Sequence, residues 1–135
     1  MVDISKAFEK EHLEKENVEP TEAGLTGGLD DHLYMYHMPY SYTSEQIRKI
    51  RTHIFHAPGG ERKRIIMVTS SLPSEGKSLI ASNLAIAIAK GEDQHVLLVE
   101  CDLRRPALQE LFHYPPTAGL SEIIQGKRSI ADCLI

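Results

Sequence analysis

Apolar residues gather into two short runs with a longer one between them, and this spacing sets the expected fold. Arg64–Ser70 reads RIIMVTS. It is short, apolar and rich in β-branched residues, which predicts a buried strand. Ser78–Lys90 reads SLIASNLAIAIAK, with Leu79, Leu84, Ile86 and Ile88 set among alanines. That pattern predicts a helix buried on most sides. Gln94–Glu100 reads QHVLLVE, again a run of strand length. Strand, helix and strand in this order predict a βαβ unit with parallel strands at about 64–70 and 95–100. Upstream, Ile47, Ile50, Ile54 and Phe55 form the apolar face of a helix. Thr43 or Ser44 is its expected cap, and Thr43 with Gln46 its capping box. Downstream, ALQELFHY predicts a short helix that Pro115-Pro116 breaks. Ser121 is expected to cap SEIIQ, Gly126 to end it and Ser129 to start another helix.

Composition narrows the class. A length of 135 residues suits one domain. No apolar run approaches the roughly 18 residues of a membrane span, and MVDISKAFEK lacks the basic-then-apolar start of a signal peptide. A soluble intracellular protein is expected. The net charge of −4 is unevenly spread. Residues 1–40 carry nine acidic and three basic residues, residues 41–135 ten acidic and twelve basic. This divides the chain into an acidic, flexible leader at 1–40, with at most a short helix near Ser5–Lys15, and a folded domain at 41–135. No basic stripe favours nucleic acid. Cys101 and Cys133 are expected to be reduced, small and buried.

The junctions between the predicted elements carry the chemistry. Ser71-Leu72-Pro73-Ser74-Glu75-Gly76-Lys77-Ser78 joins strand to helix. Such a turn aims backbone N–H groups and the helix dipole at one point, which favours an anion. Gly76 permits close backbone approach, Lys77 reaches outer phosphates and Ser78 can ligate Mg²⁺. The usual G-x-x-x-x-G-K-[ST] pattern has glycine where Ser71 stands. After the second strand come Glu100 and Asp102, at the strand end where ligands of such sheets bind. Two carboxylates at i and i+2 in extended geometry point to one side. They can order a metal-bound water or accept a hydroxyl proton. Arg104 and Arg105 follow, placed to touch phosphate or brace the carboxylates.

Two further clusters have modest readings. Tyr34, Tyr36, Tyr40 and Tyr42 read as a strap packing the leader onto the core rather than as phosphate acceptors. His32, His37, His53 and His56 lack metal-ligand spacing. Glu45, Arg48 and Arg51 recur every three residues beside the apolar helix face. Alone, that is an ordinary solvated stripe with weak i,i+3 pairs.

Three segments together resemble the bacterial tyrosine kinases of exopolysaccharide and capsule synthesis, the BY-kinases. VTSSLPSEGKS is similar to their Walker A loop, VLLVECDLRRP to their Walker A′ motif, and Glu45-x-x-Arg48-x-x-Arg51 to the helix through which these kinases form rings. Gly119–Lys127 also resembles the family, so the likeness spans roughly 41–135. It implies an ATP-dependent protein-tyrosine kinase on an α/β, three-layer P-loop NTPase fold with a parallel sheet, of which this chain carries the N-terminal part. By resemblance Ser74, Glu75, Gly76, Lys77, Ser78 and Leu79 bind ATP or ADP. Lys77 holds the β- and γ-phosphates, and Ser78 and Asp102 bind Mg²⁺. Glu100 stands at the position of the family's catalytic base, so Lys77, Glu100 and Asp102 form the catalytic set. Glu45, Arg48 and Arg51 make the homo-oligomer contact, and Arg48 and Arg51 would pair with acids of a neighbouring subunit. A membrane chain-length regulator is the implied partner, and the implied location is cytoplasmic, peripheral at the inner face of the plasma membrane.

Departures from the family are specific. Glu100 replaces an aspartate, adding one methylene. The family's Walker B strand and tyrosine-rich tail have no counterpart before Ile135, which suggests truncation and favours a second reading, a non-catalytic nucleotide-dependent scaffold controlling polysaccharide chain length. A third is a partition or septum-positioning ATPase. Those carry a signature lysine where this chain has Leu72.

Overall fold

The computed structural model describes residues 1–3, 28–56, 64–91, 95–115 and 117–135. The helix expected near Ser5–Lys15 and most of the acidic leader lie outside them. Among the described residues the order is β1 (Val2–Asp3), α1 (Tyr34–His37), α2 (Tyr42–Phe55), α3 (Lys77–Ala89), β2 (Leu97–Leu98), α4 (Leu108–Leu111), α5 (Leu120–Ile124) and a 3₁₀ turn at Ala131–Cys133.

The chain packs around α3. Its Ser82–Ile88 stretch is buried without a break, as the sequence pattern predicts. Ile86 is fully buried and meets Leu33, Met35, Ile47, Leu108, Phe112 and Val2 in one cluster. Helices α1 and α2 both lie against α3, and α4 reaches it from the other side of the sequence. Residues 28–40, expected within the leader, thus contribute Leu33 and Met35 to the core. The strap is made by those two side chains. Tyr34 and Tyr36 are half-buried, and Tyr40 and Tyr42 are exposed.

Helix α2 begins two residues earlier than its nearer expected cap, Thr43, allows. Ser41 is the N-cap, its hydroxyl accepting from the Ser44 N–H. Ser44 is itself buried and donates to the Met38 carbonyl at 2.7 Å. Thr43 is therefore inside the helix and makes no capping box. On the apolar face Ile47 is buried, Ile54 and Phe55 are half-buried and Ile50 is exposed. Helix α5 is capped by Gly119 rather than Ser121. The Glu122 carboxylate, at the third helical position, accepts from the Gly119 N–H at 2.8 Å, the one half of a capping box that a glycine allows. Gly126 follows with φ of +70°, the left-handed conformation glycine adopts without cost. Ser129 and Asp132 then exchange hydrogen bonds across a single 3₁₀ turn, in place of the helix expected there.

The strands differ most from expectation. Residues 64–70 form neither helix nor strand, and Ile65 and Met67 stand 91% and 84% exposed. A strand exists only where a neighbour takes its backbone groups, and among the described residues none pairs with this segment. The second run shortens to Leu97–Leu98. It pairs antiparallel with the first residues of the chain, Val2 opposite Leu98 and Asp3 opposite Leu97. The expected 64–70 to 95–100 parallel pairing is not formed.

Candidate functional site

The loop before α3 has the conformation its sequence requires. Gly76 is the N-cap of α3 with φ of +88°. A Cβ there would meet nothing within 4 Å, so the demand is for left-handed backbone rather than for space. Ser74 also sits at positive φ, +62°, where a side chain costs about 1 kcal/mol. The Ile80 N–H closes the first helical turn onto the Gly76 carbonyl at 2.9 Å. Lys77 and Ser78 therefore stand on the first turn of α3, with Lys77, Ser78 and Leu79 all partly buried.

The two motifs meet. Lys77 Nζ lies 2.7 Å from Asp102 Oδ2. The other oxygen, Oδ1, accepts from the Arg105 N–H at 3.0 Å and the Arg104 N–H at 3.3 Å. The hydrogen bonds from Lys77 and from the backbone N–H of Arg105, with the lysine charge and the Arg104 N–H behind them, hold the Asp102 carboxyl below the usual carboxylate range, against an opposing effect of desolvation. Because the folded value is depressed, this pairing stabilises the chain above the ordinary aspartate pKa. It is lost as pH falls through the lowered one. The pair is solvent-facing, so its effect on stability is small. Arg104 and Arg105 thus brace the carboxylate through their backbone, and both side chains are exposed.

Glu100 does something the sequence did not disclose. Its Oε1 accepts from the Asp102 N–H at 3.0 Å. Its Oε2 accepts from Ala107 N–H at 2.9 Å and Leu108 N–H at 3.3 Å. The carboxylate thereby caps α4 and ties the turn between the two elements. The available signal was a helix start, Pro106-Ala107-Leu108, with no Ser, Thr, Asp or Asn to cap it.

Two more residues anchor the site from behind. Asn83, 2% exposed on α3, accepts from the Met35 N–H at 2.9 Å and donates to the His32 and Leu79 carbonyls at 3.0 Å each. A single amide within an otherwise apolar helical run was the signal for it. Arg51 donates to the Ala87 carbonyl at 2.7 Å, satisfying one of the backbone acceptors that a helix C-terminus leaves open. Arg48 pairs with Glu45 at 3.1 Å and also donates to the Pro39 carbonyl. Both arginines of the E-x-x-R-x-x-R stripe therefore hold partners within the chain. Arg51→Ala is expected to lower stability by about 1 kcal/mol in urea unfolding of the monomer, the net worth of a partly exposed charge-assisted bond. An unchanged midpoint would show that Arg51 does not cap α3.

Cys133 is buried as expected, whereas Cys101 is exposed. Neither is in a disulfide. Among the described residues no group of three His, Cys, Asp or Glu is placed to hold a metal, and no helix is long and apolar enough to cross a membrane.

Comparison with known proteins finds bacterial tyrosine-protein kinases. The chain is 40% identical over 92 residues to the tyrosine-protein kinase YwqD of Bacillus subtilis, covering 68% of this chain and 38% of that protein. It is 36% identical over 95 residues to the tyrosine-protein kinase wzc of Salmonella typhimurium, covering 70% of this chain and 13% of that protein. It is 29% identical over 102 residues to the putative tyrosine-protein kinase CapB of Staphylococcus aureus, covering 76% and 44%. The chain belongs to the bacterial tyrosine kinase (BY-kinase) family. It spans less than half the length of these relatives. No family model and no solved structure matches it.

Proposed function

We propose that the chain is the nucleotide-binding part of an ATP-dependent, autophosphorylating protein-tyrosine kinase of exopolysaccharide and capsule synthesis, built on the three-layer α/β P-loop fold. The observation that carries this reading is the 2.7 Å contact between Lys77 and Asp102, which joins the loop motif to the carboxylate motif within a family of kinases. The donors of the loop fit an anion. Lys77 Nζ and the Leu72 N–H each already take a carboxylate oxygen of the chain, and phosphate oxygens make the same demand.

When bound, ATP supplies the transferable phosphoryl group. Around it Lys77 neutralises charge, and Ser74, Glu75, Gly76, Ser78 and Leu79 supply the loop and helix start. Ser78 and Asp102 would be the oxygen ligands for Mg²⁺. Two protein ligands suit an ion that keeps waters and binds phosphate as well. Lys77 has to leave Asp102 for both to serve. Glu100 is positioned to accept a tyrosine proton only if it gives up backbone bonds. That engagement favours the second reading, a nucleotide-dependent scaffold regulating chain length without phosphotransfer. A membrane chain-length regulator as partner, a ring through Glu45, Arg48 and Arg51, and a place at the cytoplasmic face of the membrane all follow from the kinase reading.

Calorimetric titration with Mg-ADP tests it. The folded chain should bind saturably, and Lys77→Ala should weaken binding at least about tenfold, the worth of a charge-assisted bond. No binding to a demonstrably folded chain would overturn the reading. Phosphotyrosine on the wild-type chain incubated with Mg-ATP, absent from Lys77→Ala, would separate kinase from scaffold.

A further inference from the structure

The loop departs from the usual phosphate-binding pattern at Ser71, where glycine is expected, and the structure shows what that serine does. Its hydroxyl donates to Glu75 Oε2 at 3.4 Å. The same oxygen accepts from the Leu72 N–H at 3.0 Å. One carboxylate oxygen thus spans the loop from its fifth position back to its first two. Beside this bridge the Ser70 hydroxyl donates to the Leu72 carbonyl at 3.0 Å, so both backbone groups of Leu72 are held. Between the bridged ends lies the segment that carries the positive φ at Ser74. The chain between them is exposed, and Leu72, Pro73 and Ser74 bury little surface. Packing therefore does not fix this loop, and the bridge is what does.

We propose that Glu75 is a positioning residue. Its side chain, paired with Ser71, holds the loop in its phosphate-ready shape and does not itself touch the nucleotide. This rests on the reading of Ser71–Ser78 as the nucleotide site. The substitution of glycine by serine at the loop entrance is then a coupled feature. Serine supplies a second donor to the carboxylate, and the loop gains a side-chain closure in exchange for backbone freedom. A preorganised loop binds more tightly because less ordering is left for the ligand to impose.

The test is Mg-ADP titration of the full chain carrying Glu75→Ala, Glu75→Gln, Ser71→Ala or both Glu75→Ala and Ser71→Ala, with urea unfolding of each. Glu75→Ala should weaken ADP binding about threefold to tenfold, the range of one or two exposed hydrogen bonds. The unfolding midpoint should stay at the wild-type value, because the loop is exposed. Glu75→Gln keeps an acceptor oxygen and should recover most of the loss. The double variant should lose less than the two single losses combined, since one bridge is removed only once. Unaltered binding in Glu75→Ala, or Glu75→Gln as weak as Glu75→Ala, would overturn the proposal. Tighter binding in Glu75→Ala would also overturn it and mark the carboxylate as a competitor for the anion. If the folded wild type takes no ADP, it is the reading of the site that fails, which is a different result from a wild type that binds and an unaffected variant.

Discussion

Asn83→Leu should cost this chain about 2–3 kcal/mol of stability, the penalty for leaving one buried and one partly buried backbone group without partners. The amide is 2% exposed and bridges α3 to the segment before it. A leucine of similar size fills the space but neither accepts from the Met35 N–H nor donates to the His32 carbonyl. Those two groups then stay desolvated in the seam between α1 and α3. The apolar gain of the leucine offsets only part of this. Since a domain of this size holds about 5–15 kcal/mol in all, the urea midpoint should fall clearly. A loss below about 1 kcal/mol would mean that both groups find water or other partners, and that Asn83 does not fasten α1.

Ile86→Ala is expected to cost about 2–5 kcal/mol, from lost burial and from the cavity left behind. Ile86 is 0% exposed at the centre of the cluster, with Leu33, Met35, Ile47 and Leu108 around it. Those neighbours come from three different helices and a connecting turn, so they cannot all close in on the space together. Ile86→Val removes a single methylene and should cost only about 0.5–1.5 kcal/mol. Urea unfolding of the two variants checks the order. Equal losses would show that the cluster collapses freely around this position.

What was legible in the sequence was what depends on near neighbours. The α3 helix was expected over 78–90 and spans 77–89, because its apolar run and the Gly-Lys-Ser start are local signals. The Lys77–Asp102 meeting followed from two motifs at successive element ends. What was not legible depends on partners far along the chain. The 64–70 run has strand composition, but composition cannot supply a neighbouring strand. Leu97–Leu98 found its partner in Val2–Asp3, which no period in the sequence announced. Glu100 and Arg51 were placed by family likeness at a catalytic and a subunit-contact position. The structure shows both engaged at helix ends, contacts set by where α4 begins and α3 stops. The caps at Ser41 and Gly119 were each missed by two residues: at the first, Ser41, Thr43 and Ser44 offer competing hydroxyls, and at the second a glycine without a side chain takes the place expected of Ser121.

The bare segment from Arg64 to Ser70 has a consequence for how the chain behaves in a tube. Its Ile65 and Met67 face water, it holds β-branched residues, and among the described residues no strand pairs with it. A short apolar run of this kind, with Arg64 its one charge, is an adhesive. Two copies brought together at high concentration offer each other the ladder that neither has alone. The modest net charge of −4 provides little mutual repulsion to keep them apart. Colloidal behaviour of this chain is therefore set less by its folded helices than by seven residues that the helices leave uncovered.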